Sequence, residues 1–463
     1  MLYGKERIFS MEKFIGSIEH TLAPELVEKL KADDAKKKAA EWKEFEENLP
    51  FNAKEITEAF RELYELYDEG LVKWMANLFD PDICVCNEVY GKTECEHHPL
   101  CGTAGFHYTH SARDTVGYMP NIEAMHSALN FTVTSGFTDN YLNYFPKHLI
   151  DKMASFVYNL QDKDGYFYHP HWGNKIAAGR RGRDYNWGVT LLGKFGIKSK
   201  YPTIADIAKD KSKDTGETYI PDNLKSIEAF KEYLNTLDFD TNSYGSGSVL
   251  NSQFSQIKTR GEEYIQVLGE FLDSKQRDNG IWHPEANYAG VNGLMKTGGV
   301  YSGMKRAIPN PDRALKAAVT AIVSDEEPVG IVDVWNPWVA LSIALSNIKK
   351  FRSPEEATEL RNEFLKLAPE ALRITKKKAE KFRKPDGSFS YLQQKSTATM
   401  QGYPCAVPNT YEGDMDAAVL ATTFMVDTIT GVLGMNDHFV HMFGSYESAL
   451  FMNIVENRKP VRK

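Results

Sequence analysis

The stretch QDKDGYF at residues 161–167 has two counterparts farther along the chain, QRDNGIW at residues 276–282 and KPDGSF at residues 384–389. Each copy follows a helical pattern of apolar residues, forms an Asp-Gly or Asn-Gly turn and then places an aromatic residue. Glycine takes the left-handed conformation that ends a helix at little cost, and a bulky ring can hold the next loop on the core. The recurrence predicts a chain assembled from similar helical units.

Composition and charge narrow the class of protein. The 463 residues are 42% hydrophobic and 12% aromatic, which suffices for a large core. A net charge of -8 and a pI near 5.9 argue against a nucleic-acid partner, because nucleic-acid binders carry basic patches. The sequence shows no apolar run of about 18 residues and no apolar leader, so we expect no membrane partner and a cytoplasmic location.

Helical periodicity extends over most of the chain, between loops rich in Gly, Pro, Asn and aromatic residues. We expect helices at 22–48, 56–79, 122–134, 147–160, 186–195, 224–234, 249–271, 311–323, 337–347, 354–383 and 414–433, with Pro311 and Pro337 in first turns. Strand patterns are limited to 166–169 and 388–392. The sequence predicts an all-α fold in a single domain over residues 1–463, with leading helices in 1–79 and a Cys- and His-rich loop at 80–117.

The first two turn copies resemble the Q-x-x-D-G-x-W repeat of terpenoid cyclases and protein prenyltransferases. Phe167 replaces the tryptophan of the first copy, Asn279 replaces the aspartate of the second, and the third copy lacks the glutamine. The resemblance implies an (α/α)6-type toroid, an incomplete or complete barrel of inner and outer helices around one deep cavity. Such a toroid is also similar to six-hairpin glycosidases and polysaccharide lyases, so the resemblance implies a fold and leaves the reaction open.

Terpenoid cyclases protonate an alkene with a D-x-D-D motif. The nearest stretches here, DFDTN at 238–242 and DMDA at 414–417, lack its final aspartate. A terpenoid-cyclase-like enzyme is therefore an alternative, and a non-catalytic toroid that binds glycan is another.

Several loops instead combine Trp and Tyr with His, Arg, Asn and Asp, as suits sugars, whose C–H faces stack on rings while hydroxyls take directed hydrogen bonds. The catalytic candidates are His107, Tyr108, His110, Arg113, Asp114, His171, Glu285, Glu412 and Asp414. The substrate-binding candidates are His169, Trp172, Arg183, Tyr185, Asn186, Trp282, His283, Asn287 and Trp335. We expect an enzyme that cleaves an oligo- or polysaccharide.

Two reactions fit these residue types. β-Elimination from a uronide needs Arg, Asn or His at the carboxylate and a His or Tyr base, and the loops supply all of these. Glycoside hydrolysis needs two carboxyl groups across the bond, and the carboxyl candidates are Asp114, Glu123, Asp184, Glu285, Asp333, Glu412 and Asp414. The His- and Arg-rich loops slightly favour elimination.

Packing roles compete with several of these assignments. His169 and His171 can form a hydrogen-bonded pair, the arginines at 180–183 can be a solvated basic loop, and the tryptophans at 282, 335 and 338 can anchor the core.

Cysteines cluster in the loop at 80–117. Four of the five are Cys84, Cys86, Cys95 and Cys101, with His97 and His98 between the last two. In a chain without an export signal, such clustering favours metal binding over disulfides. Zinc takes four sulfur or nitrogen ligands in a closed tetrahedral site, so a structural zinc ion and no metal at all are the main alternatives, with a catalytic metal third; we expect no other cofactor.

Overall fold

The computed structural model describes residues 17–463, and helices dominate this part of the chain. The helices are α1 (Pro24–Asn48), α2 (Ala53–Tyr64), α3 (Glu69–Ala76), α4 (Val85–Glu88), α5 (His110–Asp114), α6 (Ile122–Thr134), α7 (Tyr141–Tyr144), α8 (Lys147–Asn159), α9 (Ala178–Lys194), α10 (Ile204–Lys209), α11 (Ile227–Asn235), α12 (Ser243–Thr259), α13 (Glu262–Lys275), α14 (Tyr288–Met304), α15 (Pro311–Val323), α16 (Val332–Phe351), α17 (Pro354–Leu365), α18 (Ala368–Glu380), α19 (Met415–Leu420), α20 (Thr423–Leu433) and α21 (Ser445–Asn457). Three short 3₁₀ helices cover Lys211–Lys213, Asp222–Leu224 and Asn436–His438. The all-α prediction is confirmed.

Strands are few and short in the described part. β1 (Phe79–Asp80) pairs antiparallel with β2 (Gly105–Phe106), and β3 (Thr399–Met400) pairs antiparallel with β4 (Tyr403–Pro404). The strands expected at 166–169 and 388–392 form only isolated bridges, such as Gln161 with Phe167 and Arg383 with Phe389.

Six helical segments contact one another in a closed cycle. Helix α6 packs on α9, α9 on α12, α12 on α14, α14 on α16, and α16 on α20, while α19 and α20 both return to α6. Other helices pack against this cycle: α8 contacts α9, α13 contacts α12 and α14, α15 contacts α14 and α16, and α17 contacts α16 and α20. Helices of the cycle therefore alternate along the chain with helices that pack against them.

Each of the three recurrent turns connects a helix outside the cycle to the next helix of the cycle: α8 to α9, α13 to α14, and α18 to α19. Their glycines, Gly165, Gly280 and Gly387, have φ angles of 85°, 84° and 87°. The aromatic residues that follow are buried, as predicted. In the first turn Gln161 Nε2 donates to Gly165 O at 3.3 Å and to Tyr201 O at 3.0 Å. The glutamine thus joins its own turn to the next loop.

The second turn repeats this arrangement, and the third keeps only the link to another segment. Gln276 Nε2 donates to Gly280 O at 2.7 Å, and Gln276 Oε1 accepts from Asn310 N at 3.0 Å. In the third turn Arg383 stands where the glutamine stands in the others, four residues before the glycine. Arg383 Nε donates to Leu66 O at 2.9 Å. An arginine therefore takes over the joining role in the copy without glutamine.

We expect Gly280→Ala to destabilise the fold strongly. An alanine at this position would have to adopt a positive φ. Its Cβ would also overlap the backbone of Arg313 and Ala314 at the start of α15. Gly196 also has a positive φ, of 70°, but a Cβ there would meet open space. Gly196→Ala should cost about 1 kcal/mol of unfolding free energy from backbone strain alone, and Gly280→Ala clearly more. Denaturant unfolding of both variants measures the difference; equal losses would contradict the packing argument.

Some helix boundaries differ from the sequence expectations. The helix expected at 56–79 is two helices, because Asp68 caps α3 by accepting from Gly70 N at 2.9 Å. The helix expected at 249–271 also divides, at Gly261, whose φ is 101°. Pro337 lies inside α16 and not in its first turn. The loop at 80–117 contains α4, α5 and the β1–β2 pair.

One stretch of the described residues, Met415–Leu433, is long and apolar enough to cross a membrane by length and composition alone. It has a mean hydropathy of 1.4, and 67% of it is buried inside the protein. Because the core helix of a globular protein meets the same criterion, this stretch is weak evidence for a membrane span.

Candidate active site

Residues 107–114 place their side chains on two sides. Tyr108 Oη donates to Asp414 Oδ1 at 3.4 Å, and Ser111 N donates to Glu412 Oε2 at 2.9 Å. His110 turns the other way, with Nε2 at 3.0 Å from Trp74 O. His107 and Arg113 also lie on that second side. The candidates of this loop are therefore divided between two clusters.

Four charged side chains of α6 and α9 form a buried network. Arg180 donates from Nη1 to Glu123 Oε2 at 2.5 Å and from Nε and Nη2 to both oxygens of Asp184, at 3.0 and 2.6 Å. Arg183 Nη2 donates to Glu123 Oε1 at 2.6 Å. Glu123, Arg180 and Asp184 are each at most 2% exposed. The Arg180–Asp184 pair is possible because residues four apart share one face of a helix.

The network fixes the protonation of Glu123. Burial opposes its charge, but the guanidinium groups of Arg183 and Arg180 outweigh burial and lower the pKa of Glu123. For Asp184 burial dominates and raises the pKa to about 6. Glu123 is therefore an ionised carboxylate at neutral pH, held through both oxygens.

Asp414 and Glu412 lie beside this network as buried acceptors. Asp414 caps α19, since Oδ1 accepts from Ala417 N at 3.0 Å, and Oδ2 accepts from Tyr391 N at 2.7 Å. Burial raises the pKa of Asp414 to about 6 and that of Glu412 to about 7. These hydrogen bonds hold the long segment before α19 in place.

Asp416, two residues farther along, differs from these carboxyl groups. It is partly exposed, and its carboxyl group forms no hydrogen bond with any residue of 17–463. Desolvation of its carboxyl group raises the pKa of Asp416 to about 8, and the negative charge of Glu123 contributes further to this increase. The site therefore places a neutral, accessible carboxylic acid near an ionised carboxylate.

Aromatic and basic side chains surround these carboxyl groups. The Arg183 guanidinium lies 4.8 Å from the centre of the Trp187 ring, and Lys296 Nζ lies 5.4 Å from the Tyr244 ring. Tyr391 lies beside Tyr244, and burial raises the pKa of Tyr391. All five side chains are partly exposed, so a bound molecule could contact them.

A cavity of about 470 Å³ opens at the opposite ends of the cycle helices. Its lining includes Val133 of α6, Ser342 of α16, and Asp427, Thr428 and Gly431 of α20. The cavity is thus separate from the carboxyl groups near Asp416, none of which lines it.

Comparison of the chain with protein-family models, curated proteins and solved structures gave no significant match. The site is therefore interpreted from its geometry and chemistry alone.

The predicted residues of the 169–187 region divide between this site and the packing around it. Trp172 stacks on His169 with ring centres 4.4 Å apart and lies 5.6 Å from the Arg180 guanidinium. His171 lies 6.4 Å from His169, ring to ring. Tyr185 is buried against Tyr166, and Asn186 Nδ2 donates to Ser252 O at 3.1 Å, so both point away from the network.

The predicted residues of the second turn region lie apart from the site. Trp282 is buried and donates from Nε1 to Leu272 O at 2.8 Å, which makes it a core anchor. His283 Nδ1 accepts from Glu285 N at 3.1 Å, and Asn287 caps α14 by accepting from Gly290 N at 3.0 Å.

Two further predicted residues also have packing or pairing partners. Near α20, Trp335 packs on Phe424 at 6.1 Å between ring centres. Asp114 pairs with Arg113 at 2.7 Å.

Sequence reasoning did not single out Asp416, Tyr244, Lys296 or Tyr391, and it treated Arg180 as part of a basic loop. Asp416 follows Asp414 at the start of an apolar helical stretch, where aspartates suggest helix capping and not catalysis. The spacing of Arg180 and Asp184 on one helix face was the available signal for the network.

The cysteines of the loop at 80–117 also converge. The Sγ atoms of Cys84, Cys95 and Cys101 lie within 4.8 Å of one another, and these three residues could hold a metal ion. Cys86 is next to them, and its Sγ accepts from Glu96 N at 3.3 Å. All five cysteines are free thiols.

Proposed function

We propose that the chain is an (α/α)6-type toroid. The closed cycle of helices α6, α9, α12, α14, α16 and α19–α20, with α8, α13, α15 and α17 packed against it between its members, supports this architecture. In such a toroid the N-terminal ends of the inner helices share one end of the barrel. Glu123, Arg183 and Asp416, all near N-termini, would then face one another there.

We further propose that the protein is a carbohydrate-active enzyme that hydrolyses glycosidic bonds with acid–base catalysis by carboxyl groups. The observation that carries this proposal is the pair of carboxyl groups with divergent pKa values, Asp416 raised to about 8 and Glu123 lowered. Such divergence assigns the acid and the base in many enzymes. Asp416 would protonate the leaving oxygen, and the negative charge of Glu123 would stabilise the positive charge that develops at the sugar carbon.

The walls of the site are consistent with a sugar. Trp187, Tyr244 and Tyr391 offer ring faces, and Arg183 and Lys296 offer donors for hydroxyl groups. Tyrosine and arginine beside one another also meet the needs of uronide β-elimination, which therefore remains the second candidate reaction. Hydrolysis has the stronger support, because His107 and His110 lie on the far side of their loop.

Two assays on the same oligosaccharides separate these reactions. We expect release of reducing ends from neutral glycans, without the ultraviolet absorbance that an unsaturated uronide produces. A rise in that absorbance with uronate-containing substrates would transfer the assignment to β-elimination. Absence of both signals over a broad glycan panel would refute the carbohydrate assignment, with Asp416→Asn protein as the blank.

A terpenoid-cyclase-like reaction has less support. Asp238 is exposed, and its Oδ1 accepts from Asp240 N at 2.9 Å and Thr241 N at 3.0 Å, as in a turn. Asp414 is fully buried with both oxygens bonded. Neither aspartate is placed to protonate an apolar substrate.

We propose that the cysteine cluster binds a structural zinc ion, with Cys86 completing four thiolate ligands around Cys84, Cys95 and Cys101. Elemental analysis should find zinc in the wild-type protein and a large loss of it in Cys95→Ser. Cys405 is buried outside the cluster, so Cys405→Ser is the matched control and should retain the metal. Equal zinc content in both variants would refute the site.

A further inference from the structure

A second cluster of chemistry-bearing side chains lies on the far side of residues 107–114. Asp80 of β1, Glu88 at the end of α4 and His107 immediately after β2 are all 0% exposed. One potential ligand atom of each lies within 4.8 Å of the other two. The β1–β2 pairing, with Asp80 opposite Gly105, fixes two of the three relative to each other.

Each carboxylate is oriented through one oxygen only. Asp80 Oδ1 accepts from Asp82 N at 2.9 Å and from Val461 N at 3.4 Å. Glu88 Oε1 accepts from Cys84 N at 2.8 Å. The second oxygens, Asp80 Oδ2 and Glu88 Oε2, and both ring nitrogens of His107 have no hydrogen-bond partner in the described part of the chain. Buried polar atoms without partners are rare and point to a missing ligand.

The three atoms are farther apart than in hydrogen bonds of normal length, and their spacing suits a metal ion. His107 Nε2 lies 3.5 Å from Glu88 Oε2 and 3.9 Å from Asp80 Oδ2. A tetrahedral ion with ligands at about 2.1 Å separates neighbouring ligand atoms by about 3.4 Å. With both carboxyl groups ionised and Nε2 unprotonated, the three atoms repel one another at this spacing unless a positive centre lies between them.

Lys463 does not occupy that position. Its Nζ lies 3.8 Å from Glu88 Oε2, beyond hydrogen-bond length, and donates to Ala112 O at 3.0 Å and Tyr118 O at 2.5 Å. The ammonium group is therefore committed to two backbone carbonyls. Lys463 therefore leaves the second oxygens of Asp80 and Glu88 without a hydrogen bond.

We propose that Asp80, Glu88 and His107 bind one divalent metal cation of intermediate hardness, such as Mn²⁺ or Zn²⁺. Two carboxylates balance its charge, and a mixed oxygen and nitrogen set suits such ions. Because all three ligands are fully buried, the ion is structural and joins β1, α4 and β2. Glu88 also orients Cys84 through the backbone, so the cation supports the neighbouring thiol cluster as an outer-shell element.

Mn²⁺ alone is the appropriate probe, because thiolates are poor ligands for it and carboxylates are good ones. Chelator-treated protein is titrated with Mn²⁺, and free Mn²⁺ is followed by electron paramagnetic resonance. We expect uptake of one Mn²⁺ per chain and a higher Tm in its presence. Cys95→Ser should take up the same amount. No uptake by the wild-type protein would overturn the proposal.

Variants test the ligands without any activity measurement, so the outcome is separate from that for the proposed hydrolysis. Glu88→Gln keeps an acceptor for Cys84 N and Asp80→Asn keeps one for Asp82 N; each should weaken Mn²⁺ binding by more than about tenfold. Asp82 is the matched control, since it pairs with Lys152 at 3.2 Å and Arg462 at 3.1 Å outside the cluster. Asp82→Asn should bind as the wild type does. Equal affinity in all three variants would refute the site.

Discussion

Asp416→Asn should lower turnover about 10²- to 10⁴-fold while it stabilises the folded protein at neutral pH. The amide cannot give a proton to the leaving group, which removes the general acid. In the folded protein the pKa of Asp416 is about 8, well above the ordinary value of 3.8 for an aspartate. At pH values between these two pKa values, Asp416 is ionised in the unfolded chain and protonated in the folded protein. Unfolding therefore becomes easier as pH rises. The amide avoids this penalty, on the order of 2 kcal/mol at pH 7 after allowance for water access.

The pH dependence gives this prediction a second readout. Wild-type activity should fall as pH rises through about 8, where Asp416 loses its proton. Denaturant unfolding should show the stability advantage of Asp416→Asn at pH 7 and its disappearance toward pH 4. Asp437 is exposed, and Asp437→Asn is the control that should change neither quantity. Unchanged turnover in Asp416→Asn, or a stability difference independent of pH, would contradict the role given to Asp416.

Arg180→Met should cost about 3–5 kcal/mol of unfolding free energy, because it leaves Glu123 and Asp184 buried without their shared partner. Chemical denaturation measures the loss. Arg183 is the matched control, since it contacts Glu123 but its side chain is 20% exposed. Arg183→Met should therefore cost much less.

Rescue distinguishes the charge from the volume of Arg180. The double variant Arg180→Met, Asp184→Asn removes one buried charge with its partner and should recover part of the lost stability. If Arg180→Met is no worse than Arg183→Met, or if the double variant recovers nothing, the network is not the source of the stability assigned to it.

The positions of helices were predictable where capping residues, glycine or proline mark the ends of a stretch with apolar residues at helical spacing. Helices α6 and α15 match the expected ranges residue for residue, and α8 does so to within one residue. The apolar pattern did not reveal the break at Gly261, because the period continues through the glycine on both sides. The toroid and the single domain stay predictions, as do the cytoplasmic location and the absence of nucleic-acid and membrane partners.

The site was less predictable than the helices, because its members are remote in sequence. Glu123, Arg180 and Asp416 meet only when α6, α9 and α19 come together, and no local pattern encodes that meeting. Residues 107–114 attracted attention for their dense polar chemistry. Successive side chains of that segment point to opposite sides, so His107 and Tyr108 lie in different clusters. Residue types alone do not show this division.

Arg383 has a consequence for the detection of such repeats in other sequences. A pattern search that requires glutamine finds two units in this chain and overlooks the third, although the third has the same glycine conformation and the same buried ring. What the three positions share is a long side chain that hydrogen-bonds a backbone group of a neighbouring segment, as donor to Tyr201 O and Leu66 O and as acceptor from Asn310 N. Profiles that score hydrogen-bonding capacity and reach at this position, together with the glycine and the aromatic residue, would recover units that residue identity misses.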